Sequence, residues 1–284
     1  MVRKRNASPP PSSEPAAQES QLPVKYDYGQ HQGKGFEGTS QADFALPFLG
    51  VIQSNSPEVI QGKPKYDDKT KPGMLINSVT REIIDGVKGV YFIPCATQHV
   101  FVEFRPRAQG GGFQGVHPVD SDIVTTAKNA SKEFGDYKTD EGNELTETFY
   151  VFGIRLAAPD STEGVEAVCV AFTSTKIKVY KRFMQVLRSY KGKPPLFAHR
   201  LLLRSVPDKN AQGDFFNFAV GPAIDDSTAK SLLPPVLEDG KTPNPLLEEC
   251  AALSEQIAQG ARGADHAAGA ASGESSGANA DKLF

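Results

Sequence analysis

The sequence predicts a mainly β protein, a barrel with long insertions and one or two helices, between two tails that stay disordered. Three observations predict it. Short runs dense in Val, Ile, Phe and Tyr recur between Leu75 and Val220, set apart by turn residues. No strand–helix–strand rhythm of a parallel sheet runs through them, and no internal repeat is present. The two ends lack the apolar side chains that could offset the entropy of ordering. Residues 1–24 hold Pro9, Pro10, Pro11, Pro15 and Pro23 with almost nothing large and apolar, and residues 260–284 are rich in Gly, Ala and Ser up to Leu283.

The folded part is therefore expected over residues 25–259, enough chain to fill an OB-type β-barrel with insertions. Residues 26–44 show no clear period. Residues 45–60 carry Leu46, Phe48, Leu49, Val51 and Ile52 before a break at Asn55 to Pro57, and fit a short strand or a helix. Strands are expected at 75–80, 88–94 and 99–105, followed by a flexible connection at Gly110, Gly111 and Gly112. Residues 117–143 are polar enough to be a long surface excursion. Strands resume at 147–157 and 166–172. A helix follows Thr173, Ser174 or Thr175 as cap, with Ile177, Tyr180, Met184 and Leu187 at helical spacing as its buried stripe, and Gly192 and Pro194 end it. Two more strands, 196–206 and 215–220, flank a turn with Asp208, Asn210 and Gly213. A last amphipathic helix is expected at 246–257.

Composition bounds the function classes. Cys95, Cys169 and Cys250 are widely spaced and odd in number, against a disulfide framework and for a reducing compartment. Arg3, Lys4 and Arg5 are followed by a polar, proline-rich stretch where a signal peptide needs an apolar one, and no run approaches the roughly 18 apolar residues of a membrane span. A cytoplasmic protein without membrane attachment is the expectation. The net charge is only −3, yet residues 171–207 hold nine basic side chains and no Asp or Glu, against 22 basic and 34 acidic residues elsewhere. A cationic segment in an otherwise acidic chain points to a polyanion site.

That segment supplies the candidate site residues: Lys176, Lys178, Lys181, Arg182, Arg188, Lys191, Lys193, Arg200 and Arg204, with the aromatics Tyr190 and Phe197 and, near them, Tyr180, Phe183, Phe215, Phe216 and Phe218. Single-stranded nucleic acid needs cations for its phosphates and flat rings for its unpaired bases, and both are interleaved here. The alternative is an amphipathic helix whose cations are only solvated and whose rings fill the core. A second basic and aromatic patch comprises Phe101, Phe104, Arg105 and Arg107 with the loop at 109–113. No phosphate-binding loop, dinucleotide fingerprint, zinc-protease helix or paired CxxC is present, so no catalytic residue, metal site or cofactor is expected. Asp120 with Asp122, or Asp136 with Asp140, could hold Mg²⁺ in a nuclease, the least favoured reading. The chain ends in Asp281, Lys282, Leu283 and Phe284, an aromatic residue beside a carboxylate that suits docking to a partner.

With these short strands, the segment 173–204 and the terminal Leu283 and Phe284, the chain resembles the single-stranded DNA-binding proteins of bacteriophages. Residues 43–57 and 194–218 are also similar to uncharacterised phage-encoded proteins. The resemblance implies an OB-like core before a flexible tail, sequence-tolerant binding of single-stranded DNA during replication or recombination in the host cytoplasm, and recruitment of replication or recombination proteins through Asp281, Leu283 and Phe284. A homo-oligomer is compatible with it. The tail departs from that pattern in setting Lys282 beside Asp281 where several consecutive acidic residues are usual. The competing reading is a phage structural or assembly protein whose basic segment and tails make protein contacts.

Overall fold

Val90–Phe104 forms a single strand, β4, of 15 residues where the sequence suggests two. Its polar stretch at Thr97 and Gln98 falls in the gap between the strands expected at 88–94 and 99–105. It stays extended because each residue pairs across to β7 (Glu144–Leu156), Thr97 with Val151 and His99 with Phe149. Pro94 cannot donate to a ladder. The strand absorbs it in a bulge, with Cys95 as the extra residue between the pairs Pro94–Gly153 and Ala96–Phe152. Glycine is required opposite: a Cβ on Gly153 would collide with the carbonyl oxygen of Ile93 and the ring of Phe92.

The structure, a computed structural model, describes Lys34, Gly35, Gly38 and residues 45–211, 213–224, 231–237 and 239–266. The expected N-terminal tail 1–24 and the tail residues Asp281, Leu283 and Phe284 lie outside the described residues. All the elements belong to the unit Gln41–Phe284.

Around β4 and β7 the antiparallel main sheet has seven strands. One edge of β4 pairs with β9 (Leu201–Asn210) near Val90 and with β5 (Phe113–Pro118) beyond Val100. β7 pairs with β8 (Gly164–Thr173) and with the short β6 (Tyr137–Lys138), and β10 (Gly213–Pro222) pairs with β9. A second antiparallel sheet joins β1 (Leu49–Val51), β2 (Leu75–Asn77) and β3 (Ile83–Ile84).

Both faces of the main sheet are covered, which is why β7 reads FYVFGIRL, nearly continuous in apolar residues, rather than alternating. On one face α3 (Pro245–Ala258) lays Leu246, Cys250, Leu253 and Ile257 against Ile93, Phe152 and Ile154. Its start is set locally: Pro245 is preorganised for the first turn, and the Asn244 side chain accepts from Leu246 N at 3.1 Å. On the other face α2 (Lys176–Arg188) and the small sheet bury Phe183 and Leu187 with Leu49, Leu75, Phe172 and Phe218.

Three expectations need correcting. With helices over both faces the sheet need not curl to bury itself, and among the described residues no ladder closes it. β10 pairs only with β9, and β8 pairs with β7 and, beyond it, makes a single parallel bridge from Cys169 to Phe48, so the sheet is open and the barrel of the OB-like expectation is not closed. The described residues hold three α-helices rather than one or two, since α1 (Asp122–Ala130) lies in the polar excursion and buries only its Val124 and Ala127, against Phe101 and Leu145. The folded part also extends past residue 259. Leu46 N donates to Gly263 O at 2.7 Å, and the His266 ring stacks on Phe113 at 4.3 Å.

Candidate nucleic-acid interface

The cationic helix α2 packs against β8, β10 and β7. At about 100° per residue, Phe183, Leu187 and Tyr180 fall within one arc of roughly 60°, and Lys178, Lys181, Arg182 and Arg188 within an arc of roughly 120° opposite it. All four of these cations are exposed. After the C-cap Ser189 the chain turns at Gly192, whose φ of 84° suits glycine, and carries Lys191 and Lys193 outward. Among the described residues Lys178, Lys181, Arg182, Arg188, Lys191 and Lys193 form no ion pair. The ion pairs lie elsewhere, at Arg81–Glu58 and Arg155–Glu82 for example. Asp208, on β9, borders the patch. The Asp208 carboxyl is held below its ordinary value by a hydrogen bond from Asn217 at 2.9 Å, then by the Lys209 N–H at 2.8 Å and by the nearby charge of Lys178.

The remaining candidates divide by burial. Arg204 is exposed on β9, opposite Ala219. Lys176 is half-buried with Nζ 5.1 Å from the Phe218 ring centre. Arg200 is buried at 6 % exposure, and its guanidinium donates to the carbonyls of Pro159 (2.7 Å) and Leu232 (3.2 Å). It belongs to the interior and not to the exposed set, because those carbonyls would otherwise lose their donors. Phe197, in a 3₁₀ turn at Leu196–Ala198, packs on the α3 side of the sheet, away from α2. Phe183 and Phe218 are core residues. Tyr190 is half-buried and meets His199 edge-on at 4.7 Å.

Arg105 and Arg107 are exposed, with Arg105 Nη2 donating to Gln114 Oε1 at 3.3 Å. They follow Phe104, which pairs with Glu144, whereas α2 follows Thr173, which pairs with Thr148 opposite Val100. Four residues of strand separate these rungs, roughly 13 Å. The two basic patches therefore lie at different points along one sheet.

Two features of this region escape the sequence. His99, Phe149 and Tyr180 stack in series, at 4.0 and 4.5 Å, with Lys181 Nζ 5.8 Å from the Phe149 ring centre and Glu147 Oε1 2.9 Å from His99 Nε2. Only the β4–β7 register brings His99 over Phe149. The other feature is a groove of about 420 Å³ between α2 and β10, with Phe183, Leu187, Tyr190, His199 and Phe218 in its walls and Arg182 among its lining residues. Burial pushes the His199 imidazole below its ordinary value, so it is held neutral. Edge strand β10 is closed to further pairing at Phe216, whose N donates to Gln53 Oε1 (2.9 Å) and whose carbonyl accepts from Gln53 Nε2 (2.8 Å).

Among the described residues no group of three or more His, Cys, Asp or Glu could hold a metal ion, and no helix is long and apolar enough to cross a membrane. Asp122 opens α1, and Asp136 pairs with Lys138 at 3.8 Å. No curated protein and no solved structure matches the chain. A family model described as Pam3 phage gp34-like protein matches residues 16–232, well over half of the chain.

Proposed function

The chain belongs to the Pam3 phage gp34-like family, a family of phage proteins, and from that premise we propose that it binds single-stranded DNA without strong sequence preference. Binding would protect exposed strands during phage replication or recombination. One observation carries this reading: six cations on the outer arc of α2 and in the loop after it are exposed and unpaired among the described residues. Lys and Arg held on a rigid helix face suit a phosphate backbone, and each phosphate neutralised releases counterions. The stack of His99, Phe149 and Tyr180 beside Lys181 adds ring surface of the kind that unpaired bases use.

No catalytic group enters this reading, and none is needed. The test is anisotropy of a labelled oligo(dT), with duplex competitor, titrated with the protein at two salt concentrations. Tight, salt-sensitive binding that resists the duplex is expected. No binding at low salt overturns the reading and favours a phage assembly protein that uses the same face for protein contacts.

A further inference from the structure

We propose that the groove between α2 and β10 is a nucleobase pocket, taking one unstacked base of a bound strand with His199 as its polar contact. The inference rests on the single-strand reading above and adds a site for one inserted base to the phosphate face and the ring stack of that reading. The groove's volume, about 420 Å³, lies in the range of small-ligand sites and leaves room for one base with its sugar. Phe183, Leu187, Tyr190 and Phe218 give it flat and apolar walls, which suit the faces of a base.

The polar features suit the edge of a base. His199 is 2 % exposed, and its Nδ1 is buried without a hydrogen-bond partner among the described residues. A buried ring nitrogen left unpaired costs free energy that a ligand's hydrogen bond would recover. A neutral imidazole offers one donor and one acceptor, as a base edge does. The strand contributes as well. Gln53 takes both the N–H and the carbonyl of Phe216, so that residue faces away from β9, and by alternation Val220, which also lines the groove, presents its own N–H and carbonyl on the same edge. Arg182, on the outer arc of α2, lines the groove too, so a phosphate held there would lie next to the base inserted.

The test uses the full chain in two measurements. In the first, histidine-labelled protein is titrated with dTMP and followed by NMR of the imidazole signals. A saturable shift confined to His199 among the five histidines is expected. In the second, oligo(dT) is compared with an abasic strand of equal length. Oligo(dT) should bind at least roughly tenfold tighter, from the usual worth of base stacking. His199→Phe should narrow that ratio with the salt slope unchanged. Val186→Trp, at a lining position 51 % exposed and tolerant of a larger side chain, should narrow it too if the buried variant does not fold.

Equal affinity for the two strands overturns the pocket and leaves the cationic reading standing. If neither strand binds, that reading falls, and the dTMP titration decides the pocket alone: a saturable His199 shift sustains it, and no shift ends it.

Discussion

Replacing Lys181 and Arg182 together by Ala removes two of the six exposed cations of the proposed phosphate face. With about −0.7 per phosphate on a single strand, six contacts give a slope of log affinity against log salt near −4.2, and four give about −2.8. Between roughly 50 and 200 mM salt, the native protein should then lose about 300-fold in affinity and the double variant about 50-fold. The fold should be little affected. Both side chains are exposed, and the one ring contact between them is Lys181 Nζ at 5.8 Å from the Phe149 ring centre, so stability should change by less than about 0.5 kcal/mol. Anisotropy of labelled oligo(dT) at four or more salt concentrations measures the slope, and urea unfolding checks the fold. An unchanged slope in a folded double variant would refute the placement of phosphate on this face.

Arg200→Met should act in the opposite way, lowering stability by about 2 kcal/mol as the Pro159 and Leu232 carbonyls lose their donor, with no change in salt slope; a changed slope would put Arg200 at the interface. Gly153→Ala should cost about 3 kcal/mol in urea unfolding, because its Cβ meets the Ile93 carbonyl in the middle of the sheet. Burial pushes His199 and His266 below their ordinary values, so the unfolded chain takes up protons first. Their contribution is intact above about pH 6.5 and is lost as pH falls from there through their lowered folded-state values, and a urea midpoint equal at pH 7.5 and 5.5 would contradict it. The Cys95 thiol is pushed far up by its hydrogen bond with Cys250 and by burial, and all three cysteines are buried. The native protein should therefore leave a thiol reagent unreacted until denaturant is added; rapid reaction without denaturant would show that the interior opens.

Much of this arrangement is local and therefore legible in the chain. Helix α2 follows from apolar residues at three- and four-residue spacing, and its outer face follows from nine basic residues in a stretch without an acid. α3 and the strands at 147–157, 166–172 and 215–220 are visible for the same reason: each buries enough of its own side chains to leave a periodic trace. Where burial is thin the trace fades. α1 buries only Val124 and Ala127, and β5 alternates between half-buried and exposed residues, so both pass for polar loop. The polar middle of β4 is extended only because β7 lies beside it.

The sequence by itself determined that a cationic helix would exist, since charge and periodicity are properties of neighbouring residues. Only the tertiary structure decided which basic and aromatic residues share a surface. Arg200 and Arg204 look alike in the sequence, yet one is buried against backbone carbonyls and the other is exposed on β9. Phe197 and Tyr190 stand seven positions apart but pack on opposite faces of the sheet. The groove has no local signature at all. It arises where α2 meets β10, and the packing of those two elements on one sheet, rather than any pattern within either, sets its walls and places His199 among them.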